Sequence, residues 1–260
     1  EGRLMRIIAI TNQKGGVGKT TTCVNLAASL AATKRRVLLI DLDPQGNATT
    51  GSGVDKAALK LTIYHVLIGA KSLAEVRVAC PSGFDVIPAN RELAGAEVEL
   101  VNELARETRL KAALATLDQD YDYVLIDCPP ALNLVTVNAL TAAHAVMIPM
   151  QCEYYALEGL SDLVNTIKKV RAYLNPGLEI EGLLRTLFDP RNMLSQQVSA
   201  QLTQHFGDKV YRTVIPRNVR LAEAPSFGLP VLAHDRASKG AQAYLALAGE
   251  LINRSGAANG

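Results

Sequence analysis

Residues 14 to 22 read Lys-Gly-Gly-Val-Gly-Lys-Thr-Thr-Thr. Gly15, Gly16 and Gly18 let the backbone approach a ligand closely, and N–H groups at the start of a helix form a cradle for phosphate. Lys19 has the reach for β- and γ-phosphates, and the Thr20 hydroxyl is a hard ligand for Mg²⁺. Val17 and Thr21 belong to the same nucleotide-binding run. The strict phosphate-loop pattern asks for glycine five places before Gly18, where Gln13 stands. The loop has Lys14 instead. Two lysines crowding one closed, dry site would repel. Lys14 is therefore expected to turn from its own nucleotide towards phosphates held by another subunit.

These residues need a frame. Ile7 to Ile10 is a short apolar run that predicts a buried strand, and Cys23 to Ala31 predicts the helix after the loop. Arg36 to Asp41 is a second continuous apolar run, so the pair makes a βαβ unit with parallel strands buried on both faces. It ends in Asp41-Leu42-Asp43-Pro44-Gln45-Gly46-Asn47, with two acids at the carboxyl end of a strand, where open α/β sheets bind ligands. Tyr121 to Asp127 is a third apolar strand ending in an acid, followed by Cys128-Pro129-Pro130. Asp127 there is a candidate Mg²⁺ ligand. Further strands are expected at 84–89, 145–150, from 180 to 188, and 210–216. Helices are expected at 59–68, 92–117, 160–173, 219–224 and 238–252. The run 92–117 carries Leu93, Val98, Val101, Leu104, Leu110, Leu114 and Leu117 at amphipathic spacing. The fold class is α/β: a doubly wound, mostly parallel sheet with helices on both faces.

At 260 residues and 48% hydrophobic, the chain can bury one large core, and a single domain over 1–260 is expected. Met5 reads as a natural start, with residues 1–4 a cloning remnant and 254–260 a disordered tail. No apolar run is long enough to span a membrane, and no signal peptide is visible. The widely spaced Cys23, Cys80, Cys128 and Cys152 form no disulfide framework, which fits a reducing cytoplasm. Net charge is +2, divided as −2 over residues 1–159 and +4 over 160–260. The second part thus has a small basic surplus for an anionic partner.

The lysine before the glycine pair, the Asp-x-Asp-Pro-Gln-Gly-Asn segment and the Asp-Cys-Pro-Pro segment together resemble the deviant Walker A family of ParA/MinD ATPases. The longer strings Cys152-Glu153-Tyr154-Tyr155-Ala156-Leu157-Glu158-Gly159, Ile215-Pro216-Arg217-Asn218-Val219-Arg220-Leu221 and Glu223-Ala224-Pro225-Ser226-Phe227-Gly228 are similar to the chromosomal, Soj-like ParA subgroup. The resemblance runs from Met5 to about Leu251. It implies an ATP-Mg²⁺-dependent sandwich homodimer in which Lys14 acts across the interface with Lys19 and Asp43 as catalytic residues. Asp43 would position the attacking water, Thr20 and Asp127 would hold Mg²⁺ with Asp41 close to its shell, and Pro216 and Asn218 would border the adenine. It further implies non-specific double-stranded DNA binding on the nucleoid, through Arg191 and Arg220 with Arg217 and Lys239 as weaker candidates, and release when a ParB (Spo0J-like) protein stimulates hydrolysis. The nearness of the loop to the N-terminus leaves no room for the helix-turn-helix domain of larger relatives. A MinD-like membrane-cycling ATPase is the alternative, and it would need a basic amphipathic helix where this chain ends Ser255-Gly256-Ala257-Ala258-Asn259-Gly260. An iron–sulfur carrier would need a second cysteine beside Cys128, and a scaffold without turnover would differ only in releasing no phosphate.

Overall fold

A computed structural model describes residues 4–16, 18–118 and 120–257. Among these, eight strands form one sheet: β1 (Arg6–Ile10), β2 (Val37–Asp41), β3 (Val78–Ala79), β4 (Asp85–Ile87), β5 (Tyr123–Asp127), β6 (Ala145–Gln151), β7 (Glu179–Phe188) and β8 (Val210–Pro216). Their order is β3-β4-β2-β5-β1-β6-β7-β8. Every neighbouring pair is parallel except β3 with β4. Alternate residues of the central strands enter opposite clusters. Ile7, Ala9, Leu38, Ile40, Val124 and Ile126 face one way, and Ile8, Ile10, Leu39, Leu125 and Met147 the other. Burial on both faces is why these strands are continuous apolar runs rather than alternating ones.

The second face is covered by the helix Lys19–Ala32 and the C-terminal helix Lys239–Ala257, joined by a buried hydrogen bond between Thr22 Oγ1 and Tyr244 Oη at 3.1 Å. The first is covered chiefly by Leu134–Ala142 and Ala156–Tyr173. On β7, a Cβ at Gly182 would overlap the edge of the ring of the buried Tyr211 on β8, so a larger residue would force the ring or the strand to shift.

The structure departs from the sequence expectations in several places. The helix expected over 59–68 is confined to Ile63–Leu67, where Thr62 Oγ1 accepts from Tyr64 N and His65 Nδ1 accepts from Thr62 N. The single long helix expected over 92–117 is two short ones, Leu93–Glu99 and Arg109–Ala115, separated by turns and a 3-10 segment. Ala105 between them takes a left-handed φ of 57°. The side chain of Asn138 accepts from Leu110 N and donates to Arg106 O, tying this backbone to the neighbouring helix. The helices Leu134–Ala142 and Met193–Phe206 were not anticipated. Finally, residues 254–257 of the expected disordered tail continue the last helix. Arg254 donates to the carbonyls of Glu181 (3.1 Å) and Val210 (3.2 Å) and lies 4.1 Å from the centroid of the Tyr211 ring. The rest of that tail, and residues 1–3, lie outside the described residues.

Candidate functional site

The glycine-rich loop leaves the carboxyl end of β1 at the middle of the sheet. Gly18 opens the following helix with φ 82°, a value that side chains with a Cβ rarely tolerate. A Cβ placed on Gly15 or Gly16 would meet nothing within 4 Å, so the loop offers open space above its backbone. Lys19 is buried beneath it, its ammonium donating to the carbonyls of Asn12 (3.0 Å) and Lys14 (3.4 Å). Asn12 does more: its Oδ1 accepts from Lys14 N (3.0 Å) and its Nδ2 donates to Pro149 O (2.9 Å), fastening the loop to β6. Lys14 turns out of the loop and ion-pairs with Glu153, just beyond β6. Thr21 is half-buried, and its carbonyl accepts from Asn25. Val17 lies outside the described residues.

The acids converge on the same end of the sheet. Asp41 closes β2 and Asp127 closes β5, paired in register on adjacent strands and 0% and 1% exposed. Asp41 accepts three hydrogen bonds: Oδ1 from Asp43 N (3.0 Å), and Oδ2 from Thr49 N (2.9 Å) and Thr49 Oγ1 (2.7 Å). Thr49 Oγ1 in turn accepts from Ala89 N at 3.0 Å, linking β2's loop to the segment after β4. Asp127 accepts from Thr20 Oγ1 on Oδ2 (2.9 Å), whereas its Oδ1 is buried with no hydrogen-bond partner. Burial raises the pKa of both carboxyls, and for Asp127 the neighbouring Asp41 adds to the rise. A buried, unpaired carboxylate oxygen beside a threonine hydroxyl and a second acid is a set of hard donors suited to Mg²⁺, which takes one or two protein ligands and completes its shell with phosphate and water. The residues fit that ion.

Asp43 is half-buried beside Asp41, and its Oδ1 accepts from Gln45 N at 2.9 Å. The turn it shapes needs Gly46 at φ 65°, where a Cβ would lie 2.7 Å from Ala89 O. Pro216 ends β8 opposite Phe188, two residues past the Thr186 that packs against Gly18. Asn218 caps the helix Val219–Glu223, its Oδ1 accepting from Leu221 N at 3.3 Å. Cys128 is buried, its Sγ on the carbonyl of Ile126, and burial pushes its thiol up.

The four basic candidates stand on segments that follow β7 and β8. Arg191 is exposed and pairs with Asp189 (3.1 Å), whose carboxyl is held below the usual range by Arg191 first and also by Arg217. Arg220 stands on the helix Val219–Glu223. Lys239 opens the C-terminal helix, whose next residue, Gly240, sits against Leu221 and Asn218. The sequence reading gave no role to Asn12, Thr49 or Glu153. Only Glu153 carried a signal, as part of the string 152–159.

Comparison with known proteins places this geometry. A family model described as an AAA domain matches residues 5–180. The sporulation initiation inhibitor protein Soj of Bacillus subtilis is 55% identical over 98% of this chain and 99% of its own length. The chromosome partitioning protein ParA of Caulobacter vibrioides is 55% identical over 96% of this chain and 95% of its own. A crystal structure titled cobyrinic acid a,c-diamide synthase from Mycobacterium smegmatis, with bound ATP analogue and magnesium, is 40% identical and superposes with a TM-score of 0.84 over 96% of this chain and 95% of that one. With a loop of this geometry on a sheet of this order and relatives this similar along nearly their whole length, the chain belongs to the ParA/Soj family of P-loop chromosome-partitioning proteins.

Proposed function

We propose that this protein is a partitioning ATPase whose ATP-bound sandwich dimer binds nucleoid DNA without sequence preference and is released when a ParB-type partner stimulates hydrolysis. The observation that carries the reading is the division of labour between two lysines of one loop. Lys19 lies under the loop on its carbonyls, while Lys14 is turned outward to Glu153. A cation already directed away from its own phosphate cradle is free to exchange its carboxylate for a phosphate held by a second copy. That contact exists only when both copies hold nucleotide, so ATP would drive dimerisation.

Within one site, Gly15 to Thr21 would wrap the phosphates, Lys19 would neutralise their charge, and Pro216 and Asn218 would border the base. Thr20 and Asp127 would hold Mg²⁺, which would supply positive charge against the phosphates. Asp41 would act one step out, fixing the loop that carries Asp43, and Asp43 would orient the attacking water. The Arg191, Arg217, Arg220 and Lys239 surface would take DNA phosphates; contacts of that kind carry no sequence information.

The membrane-cycling alternative is less well supported. The apolar residues of the last helix, Ala241, Tyr244, Leu247, Ala248 and Leu251, are packed in the core rather than offered to a bilayer. No described helix is long and apolar enough to cross a membrane. The test is phosphate release measured alone, with duplex DNA, and with DNA and a ParB-type protein. Slow basal turnover that rises with both is expected. No release under any condition would reduce the protein to a nucleotide-dependent scaffold.

A further inference from the structure

Arg220 differs from the other basic candidates in being held by two acids from two elements. Its Nη1 donates to Glu223 Oε1 at 2.5 Å, one turn along the same helix, and its Nε lies 3.2 Å from Asp235 Oδ2. Asp235 follows the short helix Val231–His234. The same Glu223 Oε1 also lies 2.9 Å from His234 Nε2, and the His234 ring stacks on Phe227 with centroids 4.8 Å apart. Both bridges are partly open to solvent. Arg191, by contrast, projects into solvent from a pair with a single neighbour two residues away.

An arginine recognises phosphate best through two parallel N–H groups. On Arg220, Nη1 is already given to Glu223, and the Asp235 carboxylate lies against Nε as a second negative charge. A DNA phosphate must therefore compete with Glu223 for Nη1 and approach Nε against the charge of Asp235. The same acids add negative charge where a polyanion would dock. We infer that Glu223 and Asp235 form an anionic clamp on Arg220 that sets the threshold for DNA binding, weakening each subunit's contact so that one copy is insufficient and two are required. The inference rests on Arg220 being a DNA contact, as proposed above. It adds a role for two acids: they position and restrain a binding residue and touch no reacting atom.

The experiment is a titration of random-sequence duplex DNA over a range of salt, with ATP and with ADP, on the full chain. Glu223→Gln keeps the shape of the side chain and removes the charge. Asp235→Asn is the second variant, because the Asp235 side chain does not share Glu223's contact with His234. Thermal unfolding of each first establishes that it folds. Each is expected to tighten ATP-dependent binding about threefold to tenfold, the scale of an exposed ion pair counted twice in a dimer. Each should also give measurable binding with ADP at low salt. In an Arg220→Ala background the gain should vanish. A gain of equal size in that background would mean that only long-range charge had changed, and would overturn the clamp. So would unchanged affinity in both variants while Arg220→Ala weakens wild-type binding. If wild type fails to bind DNA with ATP, or Arg220→Ala binds as well as wild type, then the reading of Arg220 as a DNA contact has failed, a different result from either of these.

Discussion

Replacing Thr49 by valine exchanges one hydroxyl for a methyl of similar volume, at a fully buried position. Two hydrogen bonds disappear. The first is the 2.7 Å donation to Asp41 Oδ2, and the second is the 3.0 Å bond accepted from Ala89 N. A hydrogen bond to a charged group contributes about 1.5–3 kcal/mol, and a buried amide left unpaired costs about 1–3 kcal/mol. Together these give a loss of about 3–5 kcal/mol, a large part of the roughly 5–15 kcal/mol that holds a domain folded. The loss should lower Tm by roughly 10 °C in a chain of this size. Because the Thr49 bond lowers the Asp41 pKa against its burial, its removal also makes the loop carrying Asp43 harder to hold. Denaturant unfolding of Thr49→Val beside Thr49→Ser is the assay. Serine keeps the hydroxyl and should cost only about 1 kcal/mol for the lost methyl. If the two variants fall within 1 kcal/mol of each other, with both well below wild type, packing rather than hydrogen bonding holds this loop, and the anchoring role of Asp41 fails.

Asp43→Ala should still bind ATP and dimerise but lose partner-stimulated turnover, leaving the protein on DNA; phosphate release at wild-type rate would remove Asp43 from the water-positioning role. Glu250 accepts from Thr213 N, Arg212 N and Thr213 Oγ1 at 2.8–2.9 Å, and these bonds hold its carboxyl below the usual range against the opposing effect of burial. A depressed carboxyl pKa stabilises the fold above the unfolded value near 4.5, and that stability is lost as pH falls through the folded value. Glu250→Gln should therefore cost about 1–2 kcal/mol at pH 7, and its deficit should shrink as pH drops below about 4.5; a deficit that stays constant with pH would mean that its charge is irrelevant.

The parts of the fold legible in the sequence are those where one signal dominates. The central strands are apolar runs buried on both faces, and β1, β2 and β5 end at a glycine loop or an acid, so these strands, β6 and the site at their carboxyl ends follow directly. The helix Leu134–Ala142 escaped notice because it is buried nearly all round and so lacks a polar face to mark its period. Only the capping Asn133, which accepts from Thr136 N, marked its start. The stretch 92–117 misled for the opposite reason. Its apolar spacing is helical, yet Val98, Val101 and Leu104 are 77%, 51% and 90% exposed, because contacts from Asn138 and the cap that Glu97 gives to Leu134 N and Val135 N fix another path. Among site residues, Lys14, Lys19, Thr20, Asp41 and Asp127 were visible because their chemistry sets their spacing. Asn12, Thr49 and Glu153 each make a contact that exists only once distant segments are adjacent, to Pro149, Ala89 and Lys14 respectively, and only Glu153 lay in a string that the sequence marked.

The central claim is that Lys14 completes a site on a second copy. Sedimentation of wild type, Lys14→Ala and Lys19→Ala, each with ATP and with ADP, tests it most directly when run beside a nucleotide-binding titration of the same samples. Wild type should be a dimer with ATP and a monomer with ADP. Lys14→Ala should bind ATP with little loss and remain a monomer, whereas Lys19→Ala should fail at nucleotide binding itself. An ATP-dependent dimer of undiminished stability in Lys14→Ala would contradict the claim.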